Sequence, residues 1–207
     1  MRTYVYVDAF NLYYGSLKGT PYRWLDLAKL CNFLLPKSET LAIKYFSALV
    51  SARPGHEDKP LKQQLYIRAL KTIPVVEVIL GHYLTHIVSM PIADNHGSKP
   101  TYARVVKTEE KGSDVNLATH LVHDAHSGRF DLAVIVSNDS DLLTPIKLIR
   151  AELGKRVGVL NPHKHPSRAI LPHVDFLKQI RRGVLGASQF PEAMEDQHGL
   201  IRKPKGW

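Results

Sequence analysis

The chain has a single cysteine, Cys31, in 207 residues. That excludes an intramolecular disulfide framework and any zinc site built on several thiolates. Cys31 itself falls within an apolar helical pattern and reads as a buried side chain. No apolar run reaches the roughly 18 residues of a transmembrane helix. The opening stretch MRTYVYVDAF lacks the apolar core and small-residue cleavage site of a secretory signal. The chain therefore reads as cytoplasmic, with no membrane association. Acidic residues are also scarce: 19 Asp and Glu stand against 28 Lys and Arg, leaving a net charge of +9 and a pI near 9.6. Such an excess points to a polyanionic partner, nucleic acid ahead of a membrane surface.

What is present is enough for a folded domain. Hydrophobic residues make up 44% of the chain, which supports a real core. The length suits one domain, expected over 1–182, with a Gly-, Pro- and charge-rich tail over 183–207 that packs on the surface or stays mobile. Strands are predicted at 3–7, 41–50, 75–80, 102–106, 132–136 and 156–160. Helices are predicted at 24–35, 59–71, 113–126 and 141–153. In the 59–71 helix, Leu61, Leu65 and Leu70 form the expected apolar side. In the 113–126 helix, Ser113 or Asp114 is the expected cap, and Val115, Ala118, Leu121, Val122 and Ala125 the stripe. Arg53-Pro54-Gly55 marks a loop, and the polar stretch 94–100 a hairpin tip. Strands alternating with helices predict a three-layer α/β/α architecture with a mainly parallel central sheet.

The segment LAVIVSNDSDL, residues 132–142, concentrates the chemistry. Its apolar run reads as a strand buried on both faces, and its polar cluster falls at the carboxyl end, where open α/β sheets bind ligands. Asp139 and Asp141 there repel each other, by roughly 1 kcal/mol at ~4 Å in water and about 4 at an intermediate dielectric. A divalent cation would hold them together. Asp8 follows the first strand and Asp114 opens a helix, so the four carboxylates converge if their elements share one sheet edge. Hard oxygen ligands of this kind suit Mg²⁺ or Mn²⁺. One or two such ions could drive in-line attack of water on a phosphodiester. Each acid also has a plain structural role, as a turn residue or as a cap of the following helix.

Three blocks carry a family resemblance: VDAFNLYYGSL at 7–17, EEKGSDVNLATHLVHDA at 109–125 and VIVSNDSDLLTPIKLIRAELGKRVGV at 134–159. Together, in this order and spacing, they resemble the NYN domain, in particular its LabA-like group, over residues 2 to about 182. The resemblance implies a PIN-like fold and a metal-dependent ribonuclease site. Its acids correspond to Asp8, Asp114, Asp139 and Asp141. Asn11 matches the asparagine of the first block and Lys111 the basic residue before the third acid. Ala9 and Asn138 stand where the family often has glycine, and Asn138 tolerates a left-handed backbone. Asp124 matches a position often acidic; its distance along the helix from Asp114 argues against direct metal ligation, and a salt bridge or a role supporting the ligands from behind is expected.

Asp8 and Asp139 are expected to ligate metal directly, and Asp114 and Asp141 directly or through water. Asn11 is expected to orient water or a phosphate oxygen. Ser137 and Ser140 would orient the carboxylates or contact phosphate, or simply cap the turn. Lys111 is placed to neutralise charge on the phosphate. Basic groups at Arg53, Lys59 and Lys62, at Lys99, Arg104, Lys107 and Lys111, and at His163, Lys164, His165 and Arg168 suggest a track for a polyanion. Tyr13, Tyr14 and Tyr22 could stack on unpaired bases. A zinc site from His82 and His86, or His163 and His165, is disfavoured because no HExxH pattern or thiolate set accompanies them. The expected partner is nucleic acid, RNA by resemblance, with a homo-oligomer or a regulatory protein partner left open. Two other classes compete: a non-catalytic nucleic-acid-binding regulator on the same fold, and another Mg²⁺-dependent phosphoryl enzyme. The latter is weak, because VDAFN lacks a phosphatase DxDx[TV] pattern and no glutamate fits a Toprim arrangement.

Overall fold

The apolar alternation of RTYVYVD forms β1 (Arg2–Asp8), which places Val5 and Val7 on one side of a sheet and Tyr6 on the other. The structure is a computed structural model and describes residues 1–52, 55, 57–93 and 100–207. Arg53, Pro54, Lys99 and most of the expected hairpin tip lie outside the described residues. After β1 come α1 (Ala9–Leu12), a π-helical turn (Tyr13–Leu17), α2 (Leu27–Leu34), β2 (Glu39–Ala48), α3 (Lys59–Lys71), β3 (Val76–Pro91), β4 (Tyr102–Lys111) and α4 (Ser113–His126). The chain continues through β5 (Leu132–Val136), α5 (Leu143–Ala151), β6 (Arg156–Asn161), β7 (Phe176–Gln179), α6 (Arg182–Ala187) and the hairpin strands β8 (Ala193–Asp196) and β9 (Gly199–Arg202).

The seven-stranded sheet has the order β4-β3-β2-β1-β5-β6-β7. All its pairings are parallel except β3 with β4. One face is covered by α2, α3 and α6, which bury Leu30, Leu70 and Leu185 among others. The other is covered by α4 and α5 through Leu117, Leu121, Ile146 and Ile149. The three-layer α/β/α architecture with a mainly parallel central sheet is thus present. As expected, β5 is buried along its whole length, because its two sets of side chains feed the two cores: Leu132, Val134 and Val136 one, Ala133 and Ile135 the other.

Several local expectations are corrected. Leu61 is exposed; α3 instead buries Tyr66, Ile67, Ala69 and Leu70. In α4, Val115 faces outward and the inward residues are Leu117, Leu121, Asp124 and Ala125. The rotation of α4 follows from a charged anchor. Asp124 is fully buried and pairs with Lys44 Nζ at 2.6 Å and Arg129 at 2.7 Å, and it accepts a hydrogen bond from the Tyr6 hydroxyl at 2.9 Å. The salt bridge expected of Asp124 is this one. α2 is shorter than the helix predicted at 24–35, because Asp26 caps it by accepting from Lys29 N at 3.0 Å. The segment 183–207 packs against the α2–α3 layer. Leu185, Phe190 and Ile201 are buried there, and Trp207 lies against Trp24 and Tyr66.

β3 and β4 run well past the length expected of them. β3 pairs with β2 only from Val76 to Gly81; from His82↔Lys111 to Pro91↔Tyr102 it pairs with β4 alone. At about 3.4 Å per residue this two-stranded arm projects on the order of 30 Å beyond the carboxyl edge of the parallel strands. The overshoot decides where α4 begins. β4 returns along the arm, so its last residue reaches the carboxyl edge, and Ser113 and Asp114 start α4 there.

Candidate active site

β1 and β5 are paired in register, Val7 against Val136. The next residues, Asp8 and Ser137, are therefore side by side at the carboxyl edge. The Ser137 hydroxyl donates to Asp8 Oδ2 at 2.9 Å and accepts from Asp139 N at 3.1 Å. The other Asp8 oxygen accepts from Asn11 N at 2.9 Å, which caps α1. Asn11 Oδ1 in turn accepts from Asn138 N at 2.9 Å. These bonds lock the β1–α1 and β5–α5 turns to each other. Asn138 keeps the turn without a left-handed backbone, since positive φ is confined to glycines among the described residues.

Asp8, Asn11, Asp114 and Asp139 line a cleft of about 290 Å³, together with Phe10, Tyr14, Tyr83, Glu110 and Ser113. Asp141 is exposed at the turn that precedes α5, its N–H donating to Asp139 Oδ1 at 3.0 Å. Electrostatics tie the acids together. The Asp114 carboxyl is pushed up to about 6, by partial burial and by the negative charges of Asp8, Asp139, Glu110 and Asp141. Asp8 is also raised, chiefly by burial, against the lowering effect of its hydrogen bonds from Asn11 and Ser137. Four carboxylates, Asp8, Glu110, Asp114 and Asp139, thus face one open cleft.

Glu110 falls inside the second block of resemblance but is not among the acids singled out there. It accepts from Ser113 N at 3.0 Å and from the Ser113 hydroxyl at 2.7 Å, so Glu110, not Ser113 or Asp114, satisfies the start of α4. Its signal in sequence is a carboxylate three residues ahead of the helix, on a strand whose alternation sends Lys111 the other way. Gly81 makes the crossing possible: a Cβ there would lie 2.5 Å from the Lys111 carbonyl oxygen and 2.7 Å from Glu110 Oε1.

The other predicted residues divide. Ser137 is buried and spent on the acids, while Ser140 is exposed and opens the turn before α5. Lys111 and Lys107 share the far face of β4 with Glu109, paired to it at 3.6 and 2.8 Å. Arg104 lies seven positions up the arm from Lys111, on the order of 24 Å away. The structure does not gather these three around the cleft. It does bring in the loop carrying His163, Lys164, His165 and Arg168. Asn138 Nδ2 donates to the His165 carbonyl at 3.1 Å, Ser167 N donates to Asn138 Oδ1 at 2.6 Å, and the Ser16 hydroxyl donates to the Pro162 carbonyl at 2.6 Å. Gly15 lets His163 approach, since a Cβ there would lie 2.8 Å from its ring. Tyr14 lines the cleft, whereas Tyr22 packs near Gly186. His82 and His86 lie on one strand, about 13 Å apart at strand spacing, too far to share an ion.

Among the described residues no group of three or more His, Cys, Asp and Glu side chains is placed to hold one metal ion. Asp8 and Asp139 are turned partly toward their backbone and hydroxyl partners. The donor set itself is all oxygen. Mg²⁺ retains several waters and is bound through one or two carboxylates, so these acids fit a hydrated hard dication without forming a closed cage.

Comparison with known proteins places this arrangement. The crystal structure of a protein of unknown function from Vibrio parahaemolyticus superposes with a TM-score of 0.58 at 19% identity, covering 87% of this chain and 93% of that one. That likeness is one of fold. The chain is 35% identical over 240 residues to 6-hydroxy-3-succinoylpyridine 3-monooxygenase HspA of Pseudomonas putida, covering all of this chain and 75% of that protein. The NYN domain model matches residues 2–175, a span that runs through all the elements carrying the acids; this chain belongs to the NYN domain family.

Proposed function

We propose that the protein is a metal-dependent nuclease that hydrolyses phosphodiester bonds, in RNA by preference, at the cleft between β1, β5 and the start of α4. The observation that carries this reading is the convergence of Asp8, Glu110, Asp114 and Asp139 on one cleft, with Asp114 raised to about 6 by partial burial and by the charge around it. Such a concentration of anions is costly unless a cation joins it.

Asp8, Asp114 and Asp139 would hold Mg²⁺ or Mn²⁺, with Asp141 and Glu110 adding negative field. When bound, the ion would supply charge neutralisation at the phosphate and activation of water. The chain's own residues do the positioning. Ser137 fixes Asp8 and the backbone of Asp139 through one hydroxyl. Asn11 spends its carbonyl oxygen on Asn138 N, so it offers the cleft its amide NH₂, a donor for a phosphate oxygen. The loop with Lys164 and Arg168 supplies positive charge beside Asn138, where a polynucleotide backbone would pass.

The test is incubation of the full chain with single-stranded and structured RNA in Mn²⁺, Mg²⁺ or EDTA, alongside Asp139→Asn. Metal-dependent cleavage that is lost in the variant supports the reading; activity indifferent to both EDTA and the substitution sinks it.

A second reading, oxygenation of a hydroxypyridine, is favoured by the 35% identity to HspA across the whole chain. It predicts consumption of 6-hydroxy-3-succinoylpyridine in the presence of dioxygen and a two-electron reductant, followed by chromatography. A third outcome, RNA binding without turnover under any metal condition, would mark a non-catalytic nucleic-acid-binding regulator.

A further inference from the structure

Beside the acidic cleft lies a second hollow of about 180 Å³, walled mainly by aromatic rings. Tyr45 and Tyr66 meet edge to face at 6.1 Å, and Tyr66 meets Trp207 at 5.8 Å. Trp207 belongs to a segment beyond residues 2–175, the span of the family match, and completes a wall whose other rings lie within that span. Phe10, Tyr14 and Tyr83 line both the hollow and the cleft. A ring seated in the hollow would thus have its substituent at the acids. Gln63, in the lining, accepts from Val50 N and donates to the Ala48 carbonyl, at 2.9 Å each. Arg23 and Lys59 contribute positive charge to the lining.

A pocket of this size and composition suits one flat heteroaromatic ring carrying an anionic group. Aromatic side chains stack on any base through its π-face, with little regard to sequence. We propose that the hollow receives one unpaired nucleobase of the polynucleotide whose phosphate lies at the acidic cleft. The placement of the phosphate rests on the hydrolase reading; the seat for the ring does not. A free hydroxypyridine is the other source of the same chemistry.

Binding is read in EDTA, so that no turnover is required. Trp24 is buried with its indole N–H donating to the Pro191 carbonyl at 2.8 Å, which leaves half-buried Trp207, the other of the two tryptophans, as the reporter. Titration with a uridine pentamer is expected to quench its fluorescence. An abasic pentamer of equal charge should bind about ten- to a hundredfold more weakly. Tyr14→Ala changes an exposed residue and should erase that base preference, the two pentamers then binding alike; Trp207→Phe, followed by anisotropy of a labelled pentamer, should retain it.

Equal affinity for the two pentamers in the wild type would overturn the proposal. So would 6-hydroxy-3-succinoylpyridine displacing the pentamer at concentrations where uridine monophosphate does not, which would assign the ring seat to a small molecule. Base preference in EDTA without cleavage in Mn²⁺ would support the ring seat and sink only the hydrolase reading. Cleavage in Mn²⁺ without base preference would do the reverse.

Discussion

The Ser137 hydroxyl sits 2.9 Å from Asp8 Oδ2, bridging the ends of two neighbouring parallel strands. Both partners are buried, and the same oxygen accepts from Asp139 N. Ser137→Ala removes a donor from one carboxylate and an acceptor from one amide. It is expected to cost about 1–3 kcal/mol, measured by urea denaturation, and to lower Mn²⁺-dependent cleavage. Ser137→Thr, which restores the hydroxyl, should recover part of both.

Asp114→Asn has the opposite sign for the metal-free protein. Its charge is opposed by those of Asp8, Asp139, Glu110 and Asp141. Discounted for screening at an exposed site, relief of that repulsion is expected to stabilise the fold by about 1 kcal/mol. Thermal melts should show the variant above the wild type in EDTA, and the upward shift produced by Mn²⁺ in the wild type should be largely lost.

Asp124 is held below its ordinary value. Burial acts to raise it, but the hydrogen bonds from Lys44 and Tyr6 and the charges of Lys44 and Arg129 outweigh burial. A carboxyl whose folded value lies below its unfolded one stabilises the protein above the unfolded value and loses that contribution as pH falls through the folded one. Asp124→Asn takes from buried Lys44 its 2.6 Å carboxylate partner, leaving it His120 at 3.1 Å and Glu77 at 3.8 Å, and is expected to cost on the order of 3–5 kcal/mol at pH 7. The gap between variant and wild type should narrow below pH 3.8, the ordinary value. Denaturant titrations at pH 7, 5 and 3 check this.

Gly81→Ala tests the passage of the arm past the cleft. The added methyl would meet the Lys111 carbonyl oxygen at 2.5 Å and Glu110 Oε1 at 2.7 Å, and backbone cannot yield as a flexible side chain does. The expected cost is about 1–3 kcal/mol. Displacement of Glu110 should also loosen the first turn of α4, seen as faster amide exchange at Ser113.

The central elements were legible in the sequence because their signals are local. The run at 132–136 and the helices at 59–71 and 113–126 appear with the predicted bounds, since each is delimited by its own polar or glycine residues. The meeting of Asp8 with Asp139 followed from a parallel sheet, in which strand ends share an edge. The faces of the helices were less legible. Leu61 and Val115 are apolar yet exposed, because periodicity alone does not say which side meets the sheet, and in α4 a buried ion pair sets the rotation.

Composition and the succession of strands and helices along the chain implied an acidic edge on an α/β sheet in a basic chain, because carboxylates that follow apolar runs are positioned by the strands that precede them. Folding in three dimensions decided the rest: that β3 and β4 overshoot the edge, that Glu110 turns in while Lys107 and Lys111 turn away, and that Trp207 closes an aromatic hollow with Tyr45 and Tyr66. These depend on contacts between residues far apart in the chain, and such contacts are set by packing and register, which no local pattern encodes.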